Sequence, residues 1–387
     1  MNRKILVVSP TPTHPMTAGN RARVHALVTA LQEMGNDVFL AHVQSEQGDT
    51  AKMKEVWGDR FVSIPYTRPQ SRGAEIRRRL LRPFNPEARY LYSLDEWYDK
   101  SIDPVLKQLQ EKHRFDTVIV EYVFFSRALE CFDGDVLKII DTHDAFANRH
   151  RHYLAKGQTP KWYSTTPREE GRGFDRADIV VAIQDKEREQ FARQTKARVI
   201  TVGHMVPLHQ ATGKTAPRIL FVASDNHINV SGIEHFIENT FPLVRKEIPD
   251  AELILAGSVC TAVADREGVV KLGRVDDLQP VYESASVVIN PVLFNTGLSI
   301  KNLEALGYSR PLVTASVGAE GIEDGANQAF LVEDAPERFA RAVIRIISDK
   351  EFAMDLSRAA GRYAADRNRA ITKQLERVLE SKQNRNE

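Results

Sequence analysis

Cysteine is scarce in this chain of 387 residues, where only Cys131 and Cys260 occur. Two thiols far apart in sequence form neither a disulfide framework nor a thiolate metal cluster, and buried free thiols in a reducing compartment are the expectation. Long apolar runs are also missing. The N-terminal MNRKILVVSPTP turns into a loop after a few apolar residues, too few for a signal h-region or a membrane span, so a cytoplasmic protein with at most peripheral membrane contact is expected. A one-signed charge excess is lacking too: 53 Lys and Arg against 52 Asp and Glu give a formal net charge of +1, which excludes a global attraction to nucleic acid. No internal repeat, low-complexity tract or H-x-x-x-H metal spacing is found, so neither a solenoid nor a helical metal site is expected.

What the chain does contain is a long alternation of short apolar runs with helical stretches, the pattern of an α/β protein with parallel sheets. At this length two domains are expected. The first series reads Lys4 to Pro10, Asp37 to Val43, Arg60 to Tyr66, Asp116 to Tyr122, Leu137 to His143, Ile179 to Gln184 and Arg198 to Gly203. Residues 206–217, VPLHQATGKTAP, have the prolines, small residues and missing apolar period of a linker. A second series follows: Arg218 to Ser224, Ala251 to Ala256, Val269 to Leu272, Ser286 to Asn290, Leu312 to Ser316 and Phe330 to Glu333. After it come an amphipathic helix through Phe339, Val343, Ile346 and Ile347, and one or two more helices over Phe352 to Leu379.

One stretch organises the second half. VINPVLFNTGLSIKNLEALGYSRPLVTASVGAEGI reads as strand, polar loop, helix, strand and small-residue loop. Such a unit leaves unpaired N–H groups at its helix N-terminus, and Gly297 lets a ligand approach the backbone there, so an anion fits. Lys301 and Glu304, three apart, share one helical face. A phosphate suits the cation and a ribose diol the carboxylate, although the same spacing also describes a solvated Lys-Glu pair on an ordinary strand-to-helix turn.

The residues TGLSIKNLEALGYSRPLVTASVGAEGI resemble the donor-binding segment of GT-B glycosyltransferases of family 4, glycosyl transferases group 1. In that family an acidic residue and a glycine precede a second Glu, followed by G-x-P-V-V and a small-residue loop. Glu304 falls on the second Glu, which binds ribose of a sugar nucleotide, and Lys301 falls where some members carry a basic residue for the diphosphate. Thr296 stands where the first Glu usually does. That departure implies a donor selected more through the backbone of Asn295, Thr296, Gly297 and Leu298, with a sugar less hydroxylated than a common hexose. ILFVASDNHINVSGIEHF is similar to the family's phosphate-loop segment, with Ala223 in place of the usual Gly and no arginine-lysine pair, and Asn229 matches an Asn of a subset. KLGRVDDLQPVYESASVVINP is similar to the segment that contacts the base, making Arg274 and Val275 stacking candidates, or else packing residues.

In the first half, Gly19, Asn20 and Arg21 lie where the first strand's loop meets a helix, at the ligand end of an open α/β sheet. The resemblance gives this loop a role beside the donor phosphates; a turn glycine is the alternative. Asp141, His143 and Asp144 in DTHDAF follow a strand, and the resemblance places such a histidine on the acceptor side, with Asp141 or Asp144 orienting its ring. The cluster Arg149, His150, Arg151 and His152 follows it. RGAEIRRRLLRPF puts Arg77, Arg78, Arg79 and Arg82 around Ile76, Leu80 and Leu81. A helix of this kind can lie on an anionic bilayer or hold a lipid-diphosphate acceptor, while its shortness favours a surface helix packed on the domain.

The resemblance implies two Rossmann-like domains facing across a cleft, residues 1–205 for the acceptor and 206–365 for the nucleotide sugar. A last helix, about 366–387, crosses back to the first domain. It implies a retaining hexosyl- or deoxyhexosyl-transferase, needing no metal or other cofactor, that acts on a glycan or lipid-linked acceptor in surface polysaccharide biosynthesis. His143, Asp141 and Lys301 are the catalytic candidates. A sugar-nucleotide epimerase and a non-catalytic sugar-nucleotide-binding protein are the rival readings.

Overall fold

The computed structural model describes residues 2–380 except 17, 156, 158, 161, 213–215, 295 and 296; the side chain of Arg77 also lies outside the description. The chain divides into two compact units, Met1–Pro15 with Asn20–Gly203 and Thr372–Glu387, and Met16–Gly19 with His204–Ile371.

The first unit is built on seven strands: β1 (Lys4–Ser9), β2 (Asp37–Val43), β3 (Phe61–Ile64), β4 (Thr117–Glu121), β5 (Leu137–Asp141), β6 (Ile179–Ala182) and β7 (Arg198–Thr201). They pair in parallel in the order β3-β2-β1-β4-β5-β6-β7. The order reverses between β1 and β4, so the loops after these strands form the switch point of a doubly wound sheet. The second unit has six strands, β8 (Arg218–Val222), β9 (Glu252–Ala256), β10 (Val269–Lys271), β11 (Val287–Asn290), β12 (Leu312–Thr314) and β13 (Leu331–Val332). These run parallel in the order β10-β9-β8-β11-β12-β13, with the reversal between β8 and β11.

Continuous apolar strands reflect burial on both sheet faces. In the second unit, Ile219, Phe221, Leu253, Leu255, Val287, Ile289 and Val313 pack into one core. Their strand neighbours Leu220, Ile254, Val288 and Leu312 pack into another. This is the period-two alternation of the pleat with both faces covered by helices. Polarity enters at the carboxyl ends: TVIVE ends in Glu121, LKIID in Asp141, VVIN in Asn290 and LVT in Thr314.

All thirteen expected strands are present, one or two residues shorter at some ends where strand residues merge into loops. One open expectation is settled and another changes. The last helical stretch is one helix of 31 residues, Lys350–Glu380, whose residues from Thr372 belong to the first unit. The basic helix, Arg72–Leu81, is capped by Ser71 but does not pack through its apolar residues. Ile76 is 59% exposed, Leu80 68% and the following Phe84 89%. Arg78 anchors it instead, in an ion pair with Glu96 and over the ring of Tyr92 at 4.9 Å.

Candidate functional site

In the second unit the strand-loop-helix stretch forms as expected. β11 ends in Asn290, the helix Ile300–Gly307 follows, and β12 starts at Leu312 beside it. The loop is held from below by buried amides and hydroxyls. Asn290 Nδ2 donates to Ser299 Oγ at 3.4 Å, and Asn302 Nδ2 donates to Gly318 O at 2.8 Å and Thr314 Oγ1 at 3.3 Å. These bonds fix how the helix N-terminus is presented. Gly297 and Leu298 lie just before that helix, both half-buried, with Leu298 packed on the core. Asn295 and Thr296 lie outside the described residues.

Lys301 and Glu304 project from one face of this helix, as their spacing requires. Lys301 Nζ donates to Asn229 Oδ1 at 2.5 Å and sits 4.9 Å from the ring centroid of Phe221. Asn229 is itself fixed: its N–H is capped by Asn226, and its Nδ2 donates to Ser224 O at 3.0 Å. Glu304 Oε2 accepts from the hydroxyl of Tyr282 at 3.3 Å. Burial brings Lys301 down to about 7 and Glu304 up to about 7, each drawn partly back by the other's charge. An amine and a carboxylate each poised near neutrality respond strongly to an arriving charge.

Ala223 directly follows β8 where the resembled segment has glycine, and the room is supplied from the opposite side. A Cβ on Gly257 would stand 2.2 Å from Ala223 O, and Gly257 has φ 100°, a conformation natural to glycine. Arg274 is exposed, and Val275 packs partly against the core.

In the first unit β4 and β5 set Glu121 opposite Asp141 at the carboxyl ends of two paired strands. Arg23, from the helix Gly19–Glu33, donates from Nε to Asp141 Oδ2 at 2.9 Å and from Nη2 to Asp141 Oδ1 at 2.5 Å. His143 Nε2 lies 2.6 Å from Glu121 Oε2, and its ring stacks on Tyr122 with centroids 4.1 Å apart. Tyr122 reaches that position with φ 68°, a strained backbone for a bulky residue. Burial raises Glu121 to about 7 and Asp141 to about 6 and lowers His143 to about 4.

Neither expected aspartate orients His143. Asp141 is occupied by Arg23, Asp144 pairs with Arg149 at 2.7 Å, and Glu121 holds the imidazole. Ligand atoms of Glu121, Asp141 and His143 lie within 4.8 Å of one another, a set of types able to bind a cation. Here the Arg23 guanidinium already supplies the positive charge, bonded to both Asp141 oxygens, and a divalent ion would meet its repulsion.

The remaining candidates are less concentrated. Gly19 and Asn20 open the Gly19–Glu33 helix, and Asn20 Nδ2 donates to Thr11 Oγ1 at 3.4 Å. Arg21 is held by Glu46 at 2.6 Å and by the carbonyl of Gln47 at 2.9 Å. Of the basic cluster, His150 is buried against Ser164 at 2.8 Å and Arg151 pairs with Glu87 at 2.9 Å, so both serve local packing. Sequence reasoning missed Arg23, Glu121, Tyr122 and Tyr282. A signal existed for Glu121, the single charge ending the apolar strand TVIVE; Arg23, one of two arginines on its helix, had none.

Two doubly wound units with polar groups at their strand ends form an open α/β architecture whose ligands bind beyond the carboxyl ends of the strands. Residues 216–349 match the family described as glycosyl transferases group 1, which spans most of the second unit. An uncharacterized 44.6 kDa protein in the cps region of Klebsiella pneumoniae is 25% identical over 128 residues, covering 30% of this chain and 33% of that protein. The match thus spans one third of that relative's length. Over the whole chain the fold is similar to sucrose-phosphate synthase of Thermosynechococcus elongatus, with TM-score 0.67, 14% identity and 98% and 99% of the two chains covered. It is also similar to a TarM variant of S. aureus in complex with fondaparinux, α-GlcNAc-glycerol and UDP, with TM-score 0.68, 11% identity and 98% and 100% covered. The chain has the GT-B fold, and the part of its second unit that matches the group 1 glycosyltransferase family includes Lys301 and Glu304.

Proposed function

We propose that this protein is a glycosyltransferase that moves a sugar, with retention at the anomeric carbon, from a nucleotide-diphosphate donor to a glycan or lipid-linked acceptor. The observation that carries the reading is the Lys301 and Glu304 pair, within the family-matching segment, on one face of a helix whose N-terminus follows a strand end. Glu304 takes the ribose hydroxyls. Lys301, with the N–H groups of the Ile300–Gly307 helix, meets the diphosphate and stabilises the charge that grows on it as the glycosidic bond breaks. Protein donors of this kind replace a divalent metal. On the acceptor side His143, held by Glu121, offers a fixed polar edge to a sugar hydroxyl, while Asp141 acts through Arg23 as structure. Selection of a less hydroxylated sugar, hexose or deoxyhexose, falls to the segment around Thr296.

The relative in a cps region supports a place in surface polysaccharide biosynthesis. No helix among the described residues is long and apolar enough to cross a membrane. A cytoplasmic protein touching an anionic bilayer peripherally through Arg79 and Arg82 beside the exposed Ile76, Leu80 and Phe84 fits this reading. Incubation with a panel of nucleotide sugars, followed by proton NMR, tests the function. Nucleotide release with transfer of an α-configured donor sugar in the same configuration supports it. Epimer formation, or binding of a donor with no turnover under any acceptor, contradicts it.

A further inference from the structure

Tyr282 lies outside every contact that the resemblance assigned, yet it is the group that touches Glu304. Its side chain is fully enclosed, at 0% exposure, on the helix Gln279–Ser284. The ring stacks on Tyr308, with centroids 4.4 Å apart and planes 13° apart, and Tyr308 stacks in turn on His209 at 4.2 Å and 16°. Three separate segments therefore contribute one column of rings.

Backbone bonds lock that column. His209 N–H donates to Gly307 O at 2.8 Å, Ser309 Oγ donates to His209 O at 2.6 Å, and Tyr308 N–H donates to Glu304 O at 2.9 Å. Enclosed and stacked in this way, the ring holds the Tyr282 hydroxyl against Glu304 Oε2, 3.3 Å distant. A carboxylate that holds a vicinal diol needs two properties: it must be ionised, since a neutral acid offers a donor where both hydroxyls need acceptors, and its plane must be fixed. Burial works against the first. An O–H donated to the carboxylate favours the charged form, and a single anchored oxygen fixes rotation about the last side-chain bond.

We infer that Tyr282 is a positioning residue for nucleotide binding: its hydroxyl, held by the Tyr308 and His209 rings, anchors Glu304 Oε2 so that the carboxylate's remaining acceptor sites receive the two ribose hydroxyls. The inference rests on the reading of Glu304 as the ribose ligand. It assigns the tyrosine of VYES a role in ribose recognition, separate from base stacking.

The test is calorimetric titration of the wild type, Tyr282→Phe, Glu304→Gln and the double variant with the diphosphates of uridine, guanosine and adenosine and with their 2′,3′-dideoxy forms. Phenylalanine keeps the stacked ring, and a thermal melt checks that it folds. For the ribonucleotide that binds, Tyr282→Phe is expected to weaken affinity roughly ten- to a hundred-fold, the worth of about one hydrogen bond to a charged group. Dideoxy affinity should be unchanged, and the tyrosine change should add nothing in the Glu304→Gln background. Equal losses for ribo and dideoxy forms, or undiminished discrimination in Tyr282→Phe, overturn the inference while leaving Glu304 at the ribose. A wild type that does not distinguish ribo from dideoxy forms overturns the ribose reading itself, and the inference with it.

Discussion

Arg23 grips Asp141 with two nearly parallel hydrogen bonds while the same guanidinium donates to the carbonyls of Val202 at 3.2 Å and Gly203 at 3.1 Å. One buried cation thus ties the first helix to β5 and to the end of the unit's last strand segment. Removing its partner leaves that charge unpaired, so Asp141→Ala should cost about 3 to 5 kcal/mol of stability. Replacing both residues with apolar ones, Arg23→Met with Asp141→Leu, should cost clearly less than the single change. Urea unfolding measures both, and a loss below about 1 kcal/mol for Asp141→Ala would show that the pair does not hold the unit together.

Glu187 gives a pH signature. Burial, with the charge of Asp144 adding to it, raises its carboxyl to about 8, and its Oε2 has no hydrogen-bond partner. The folded state then holds this proton at pH values where the unfolded chain has released it. The contribution of Glu187 to stability is therefore present below about pH 4.5 and is lost as pH rises toward about 8. Glu187→Gln, which stays neutral, should raise the melting temperature relative to wild type more at pH 8 than at pH 5. A difference that shrinks as pH rises contradicts the buried-acid account.

Lys301 should take up a proton when a diphosphate binds. Burial lowers its amine to about 7, and an adjacent anion raises it again. At pH 8 the binding enthalpy should therefore change with the ionisation enthalpy of the buffer in wild type and not in Lys301→Ala. Lys301→Ala should also weaken diphosphate while sparing nucleoside. Equal losses for both ligands would remove Lys301 from the phosphate site.

The Arg72–Leu81 helix predicts a salt-sensitive surface. Wild type should co-sediment with vesicles containing anionic phospholipid at low salt and release as salt rises. Arg79→Ala with Arg82→Ala should lose most of this binding, and Leu80→Ser with Phe84→Ser should do likewise through lost apolar burial. Wild type that ignores such vesicles at low salt ends the membrane proposal.

Much of this was readable before the structure because parallel strands buried on both faces must be apolar along their length, which marks all thirteen in the sequence. Lys301 and Glu304 were readable because three-residue spacing on a helix fixes their common face. The partners were not. Glu121 and Asp141 become neighbours through the β4 to β5 register, and Tyr282 reaches Glu304 across 22 residues of sequence, distances that no local pattern encodes. The Arg72–Leu81 helix shows the converse: its short apolar stripe reads as a packing face, but Arg78 does the anchoring and leaves that stripe in solvent.

The central claim is that Glu304 and Lys301 receive the donor nucleotide, and titration calorimetry of nucleoside diphosphates into wild type and Glu304→Ala tests it most directly. A carboxylate accepting ribose hydroxyls contributes roughly 1.5 to 3 kcal/mol per bond, so the variant should bind at least about ten-fold more weakly while its melting temperature without ligand changes little. Binding by the wild type that Glu304→Ala leaves intact, or no binding of any nucleoside diphosphate by the wild type, would contradict it.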